Sequence, residues 1–147
     1  MSADKKVILV YENQEGNLAI ESVWANKVGE YYRIDSIPFF AKNLSLNDLV
    51  EVDPEGDALY FSKLISESGW STVQLVIMDK DHAQGVIDSI ERMGLSWEGL
   101  GKDNQYLALG IPPTASYSEI KSVLDSLAAQ GVLDYRESCI SGKHKKA

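Results

Sequence analysis

The sequence predicts an α+β fold, with an N-terminal small antiparallel β-barrel or meander packed on a C-terminal ferredoxin-like β-α-β-β-α-β half. Three observations carry this. Short β-branched segments separated by turn residues fill the first 71 residues. After Met78 the apolar period lengthens from two residues to about 3.6. Two capping-box patterns, Asp81 with Gln84 and Ser116 with Glu119, then open apolar stripes that Gly94 and Gly131 close.

Residues 6–12 (KVILVYE) form the first expected strand, because the run is apolar and β-branched. Residues 13–17 are a turn by composition, and 19–28 a second strand. Gly29 suits the first central position of a type II′ turn, returning the chain through a third strand at 31–37. Parity places Trp24, Tyr32 and Ile34 on one face. Pro38 has no N–H to donate and ends the ladder. Of Phe39 and Phe40, one is expected to plug a barrel end and the other to pack beside the elbow. A polar turn then enters a strand with Leu49 or Val50 inward, and 53–57 turn again. Ala58–Ser66 and 71–78 are further strands, the latter with Val73, Leu75 and Ile77 on one side.

In the second half Ala83, Val86, Ile87, Ile90 and Met93 recur at helical spacing, as do Ile120, Val123, Leu124 and Leu127. Strands at 95–99, 105–111 and 132–140 and a loop at 99–104 complete the pattern. The expected boundaries are 1–71 for the barrel-like half, 72–142 for the ferredoxin-like half, and 143–147 for a basic, disordered tail. No linker composition separates the halves, so they are expected to pack closely.

A chain of 147 residues, 44% apolar and 24% charged, can bury a core of ordinary size. It has no run of about 18 apolar residues to cross a membrane, and its N-terminus lacks the apolar stretch of a signal peptide. The lone cysteine, Cys139, cannot form an internal disulfide and reads as a small strand residue, in keeping with a cytoplasmic location. The net charge is −8, although Lys143, Lys145 and Lys146 crowd the last residues, so the body is more acidic still. Such a body repels nucleic acid and favours encounter with a cationic partner.

Glu21-Ser22-Val23-Trp24-Ala25, Tyr32-Arg33-Ile34-Asp35-Ser36-Ile37-Pro38-Phe39-Phe40-Ala41 and Leu44-Ser45-Leu46-Asn47-Asp48-Leu49-Val50-Glu51-Val52 together resemble a bacterial family, the domain of unknown function DUF4265. Ser68-Gly69-Trp70-Ser71-Thr72 and Glu98-Gly99-Leu100-Gly101 fit the same pattern, over roughly residues 20 to 100. Ser36 and Asn47 depart from it, standing where asparagine and glycine are usual. The resemblance implies no established activity. Lineage and size imply an immunity protein of a toxin/immunity pair.

The residues offer little for catalysis. One cysteine and two histidines, His82 and His144, make neither a zinc set nor a nucleophile–base pair by spacing. Asp53, Glu55 and Asp57 alternate around Gly56 but lack the ligand loop of a calcium site. Gly99-Leu100-Gly101 is not followed by the Gly-Lys-Ser/Thr of a phosphate cradle. No metal and no cofactor is expected.

Asp48, Glu51, Asp53, Glu55 and Asp57 fall within ten residues and have no basic residue among them. With Glu67 and Trp70 they are the expected partner-binding surface, because aromatics beside charges anchor interfaces. The expected function is therefore a non-catalytic, monomeric, acidic binding protein. It would neutralise a cationic toxin, a nuclease, by occluding a basic active site, without contact to nucleic acid or membrane. The alternative is an enzyme or small-molecule-binding protein with a cleft between the halves, using Trp97, Glu98, Tyr106, Tyr31 and Tyr32.

Overall fold

A computed structural model describes residues 5–101 and 104–145. The start of the chain, Lys102–Asp103 of the expected loop and the last two residues of the expected tail lie outside the described residues. The chain is α+β and mostly antiparallel sheet. Strands β1 (Lys5–Glu12), β2 (Leu18–Val28), β3 (Tyr31–Ile34), β4 (Leu49–Glu55) and β5 (Ala58–Ser66) bond in sequence order, and β5 closes on β1 through a parallel contact of Tyr60 with Ile8. Strands β6 (Ser71–Ile77), β7 (Ser96–Leu100), β8 (Tyr106–Ile111) and β9 (Leu133–Cys139) form a second sheet in the order β7-β8-β6-β9, each pair antiparallel. Helix α1 (Ala83–Arg92) joins β6 to β7, α2 (Tyr117–Ala129) joins β8 to β9, and a short α3 (Gly142–Lys145) ends the described chain.

Each half has its own core. Val7, Leu9, Val23, Ala25, Ile34 and Val50 fill the barrel. One face of the second sheet, with Val73, Leu75, Leu107 and Leu109, packs on Val86, Ile90, Ile120 and Leu124 of the helices. Both long helices stop at a left-handed glycine, Gly94 or Gly131. At the first, Gly94 N–H donates to Glu91 and Leu95 N–H to Ile90; at the second, Gly131 donates to Ala128 and Val132 to Leu127. These bonds satisfy carbonyls that the helix end would otherwise leave open.

Several local expectations are corrected. The turn at Gly29 (φ 61°) sets a register that pairs Ala25 with Ile34, so Ala25 and Ile34 point inward and Trp24 points out, under the Lys6 ammonium. Neither Phe39 nor Phe40 plugs the barrel: Phe40 is exposed, and Ala41 and Leu44 occupy the barrel core instead. Val123 sits on the flank of its helix, and Tyr117 takes the buried place. Asp79, not Asp81, caps the first helical segment, because a turn of 3-10 helix at Lys80–His82 precedes α1 and the Asp79 carboxylate accepts the Asp81 N–H. Ser116 stands at the second N-cap as expected, although its hydroxyl bonds Ser118 rather than the backbone.

The expected tail is also corrected from Lys143 to Lys145. His144 is only 3% exposed. Its Nε2 donates to the Pro112 carbonyl at 3.0 Å, and its Nδ1 accepts from the Ser71 hydroxyl. Ser71 Oγ in turn accepts the Ser141 N–H. A basic composition at a chain end suggested solvation; one imidazole with a donor and an acceptor to place is enough to fasten the segment.

Candidate functional site

The distinctive segment around Pro38 is the joint between the two halves. After β3 the backbone no longer belongs to a ladder, so its polar groups need other partners. Side chains from both halves supply them. The Glu21 carboxylate accepts the N–H groups of Phe39, Phe40 and Ala41 at 2.6, 3.1 and 3.0 Å. Glu98 of β7 accepts the Ile37 N–H at 2.9 Å. Gln74 of β6 donates to the carbonyls of Pro38 and Ala41. Thr72 donates to Leu44, and Ser138 of β9 to Ala41. Gly110 lets Ile37 and Trp70 approach: a Cβ there would meet Ile37 Cδ1 at 3.2 Å and the Trp70 ring at 3.4 Å. The motif residues therefore act architecturally.

Glu98 has a measurable consequence in this joint. Burial raises its carboxyl above the ordinary value, and the nearby charges of Asp35 and Glu21 add to that, against the lowering by the Ile37 N–H. A raised folded-state pKa contributes stability that is full below the unfolded value and lost as pH rises through the folded one. Only one oxygen, Oε2, accepts the Ile37 N–H, and a glutamine oxygen can do the same. Glu98→Gln is therefore expected to raise the thermal midpoint at neutral pH. It should also flatten the decline in stability from the carboxylate range upward, as read by thermal melts across pH.

The seven expected partner-binding residues separate into two groups. Glu51, Asp53, Glu55 and Asp57 come together on the β4–β5 hairpin, which turns at Gly56 (φ 61°). Asp53, Glu55 and Asp57 are exposed, and Glu51 is half-buried opposite Lys63. Asp48, Glu67 and Trp70 are elsewhere. Asp48 is 1% exposed and ties two turns, one oxygen accepting the Ser45 N–H and the other the Ser68 N–H, each at 2.9 Å. Desolvation by burial raises its carboxyl, partly offset by those two bonds. Glu67 accepts the Gly142 N–H beside the C-terminal turn. Trp70 lies half-buried against Gly110 in the joint. Closeness in sequence grouped them; Asp48 is drawn inward between two turns, and the turn at 66–70 carries Glu67 and Trp70 toward the second sheet.

What joins the acidic hairpin instead is apolar. Asp53 lies opposite Tyr60, Tyr60 contacts Ile8 across the barrel closure, and Val10, next but one to Ile8, pairs with Ile20. Leu18, Ile20 and Val10 are 78%, 65% and 54% exposed. The inward positions of β1 and β2 belong to Val7, Leu9, Val23 and Ala25, so these side chains have no core to enter. The outer barrel face thus carries an apolar strip on β1 and β2 and carboxylates on β4. The signal was present in KVILVYE, which is apolar at both parities although only one face of a small barrel is interior.

Nucleophilic and metal chemistry find no equivalent arrangement. Ser71 and His144 bond one another, but both are buried and His144 Nε2 is held by a backbone carbonyl. Burial pushes the Cys139 thiol up, away from the thiolate. Among the described residues no three His, Cys, Asp or Glu side chains are grouped to hold a metal ion, and no helix is long and apolar enough to cross a membrane.

Of the residues expected to line a cleft between the halves, Tyr106 alone does so. Glu98 is engaged by Ile37, Trp97 Nε1 donates to Glu91, and Tyr32 is buried in the barrel. The observed cleft, about 910 Å³, is bordered by the β1–β2 turn, Phe39 and Phe40, and the uncovered end of the second sheet.

Comparison with known proteins adds three findings. The family described as "Domain of unknown function (DUF4265)" matches residues 21–135. A solved structure described as "Novel crystal structure of a hypothetical protein from Neisseria gonorrhoeae" is 32% identical, with a TM-score of 0.84 over 96% of this chain and 98% of that one. No curated protein matches.

Proposed function

We propose, from the premise that the chain belongs to the DUF4265 family, that it is a non-catalytic acidic binding protein: an immunity protein that neutralises a cognate nuclease toxin. The observation that carries this reading is the outer barrel face, where exposed carboxylates on β4 and an exposed apolar strip on β1 and β2 lie on either side of β5, linked through Tyr60 and Ile8. Protein interfaces combine an apolar centre with a polar rim. Exposed apolar side chains scattered singly need no explanation, but adjacent ones rimmed by charge mark interaction surfaces. A nuclease site is basic because it holds phosphates, so the carboxylates steer the encounter and the apolar strip seals it. The inhibitor works by covering the site and needs no reacting group.

In this reading the protein acts in the cytoplasm as a monomer. The closed order of β1–β5 supports a small barrel, and the order β7-β8-β6-β9 with helices after β6 and β8 supports a ferredoxin-like second half.

The test is inhibition. The purified chain, added at equimolar ratio, is expected to abolish nucleic-acid cleavage by a nuclease encoded beside it, and co-expression is expected to restore growth. Undiminished cleavage with growth still arrested would reject the reading.

A further inference from the structure

The second sheet is only partly covered on its barrel side. The joint packs over Thr72, Gly110 and Ser138, while Tyr106 and Leu100, cross-strand neighbours at the other end, stay exposed. Those two side chains border the cleft. Its opposite wall is aromatic: the rings of Tyr11 and Phe40 stack at 5.8 Å and 15°, with Phe39 beside them.

Arg136 of β9 enters this cleft in a fixed pose. Gln74, 6% exposed, spends both amide protons on the carbonyls of Pro38 and Ala41, so its oxygen is oriented to accept Arg136 Nε. One Nη2 proton goes to the Phe40 carbonyl at 2.7 Å. The rest of the guanidinium fork is open, and among the described residues no carboxylate pairs with it. A second cation, Lys42, borders the same space. Glu12, Glu15 and Asp134 border it too, so an anion is favoured here only where it reaches the Arg136 donors directly.

The unused donors of Arg136 thus share one cleft with the rings of Tyr11, Phe39 and Phe40. A guanidinium held by neutral partners keeps its charge available, and its planar donors match a carboxylate, sulfonate or phosphate. The cleft volume falls within the usual range of small-ligand sites, about 300 to 1,000 Å³, which combine an apolar lining with a few placed polar groups. We propose that this cleft binds a small aromatic anion, its flat ring between the Tyr11–Phe40 wall and Tyr106, and its anionic group on Arg136. The site shares no residue with the acidic hairpin or the apolar strip of Val10, Leu18 and Ile20, and it does not depend on the toxin reading.

Two related dyes test it. 8-Anilinonaphthalene-1-sulfonate carries ring and anion, and N-phenyl-1-naphthylamine carries the same rings without charge. The native chain is expected to bind the sulfonate saturably at about one equivalent, and more tightly than the neutral dye. Arg136→Gln should weaken the sulfonate roughly tenfold or more, as loss of a charged hydrogen bond implies, and leave the neutral dye within about twofold. Tyr106→Ala, which breaks no hydrogen bond of the joint, should weaken both dyes. Near-ultraviolet circular dichroism establishes that each variant is folded. If Arg136→Gln does not fold, the Tyr106→Ala result decides. Sulfonate binding that persists unchanged in Tyr106→Ala, or in folded Arg136→Gln, places the dye elsewhere and overturns the proposal, as does absence of saturable binding by the native chain.

Discussion

Replacing Asp48 with alanine is expected to destabilise the protein by about 3 kcal/mol, because one buried and one part-buried N–H group lose their acceptor at roughly 1–3 kcal/mol each. The carboxylate stands between the turn that enters β4 and the turn that leaves β5, with Ser45 on one oxygen and Ser68 on the other. Water cannot replace it at a site 1% exposed. Asp48→Asn is the sharper variant. Its side chain offers one acceptor and presents donors where the other oxygen stood, so one N–H faces another N–H. Its loss should fall between wild type and alanine, the reverse of Glu98→Gln, where a single oxygen is in use. Thermal melts check both, at roughly 2–4 °C per kcal/mol for a chain of this size. An Asp48→Ala midpoint within a degree or so of wild type would remove Asp48 from the fold's supports.

The double substitution Leu18→Ser and Ile20→Ser is expected to weaken partner binding by about 100-fold while leaving the melt unchanged. Both side chains are mostly in water, so the fold loses little when they shrink. In a complex they would be desolvated near the centre of the contact, where truncating a hot-spot residue costs on the order of 2 kcal/mol or more. The loss should appear in the dissociation rate, since short-range contacts act after encounter. Unchanged affinity would confine the interface to the hairpin or move it off the barrel.

Strand positions, helix stripes and both glycine stops were legible in the sequence, because period and turn chemistry act locally. The register of β2 on β3 was not. A slip of one residue decides whether Trp24 or Ala25 enters the core, and only the Gly29 turn and the closed barrel determine that. Phe39 and Phe40 misled for a related reason: size suggests burial, but the elbow is held by the hydrogen bonds of Glu21, Gln74 and Ser138, which leave the rings free to face the cleft. Three of the five clustered carboxylates were legible as a surface, since Gly56 forces a hairpin that keeps Asp53, Glu55 and Asp57 outside. Asp48 was not, because its two N–H partners are known only once the turns meet. Arg136 carried no signal at all; Gln74 and Phe40 lie far from it in sequence.

The proposed function requires that acidic charge on the outer barrel face steer a cationic protein onto this chain. The most direct measurement is the association rate with that partner, by stopped flow across ionic strength, for wild type and for the variant Glu51→Lys, Asp53→Lys, Glu55→Lys, Asp57→Lys. Steered association is faster by about 10- to 1,000-fold and falls steeply with salt. Wild type should show that slope, and the variant should lose most of the rate at low salt while keeping its melt. Equal rates for the two proteins, insensitive to salt, would exclude electrostatic steering by this face.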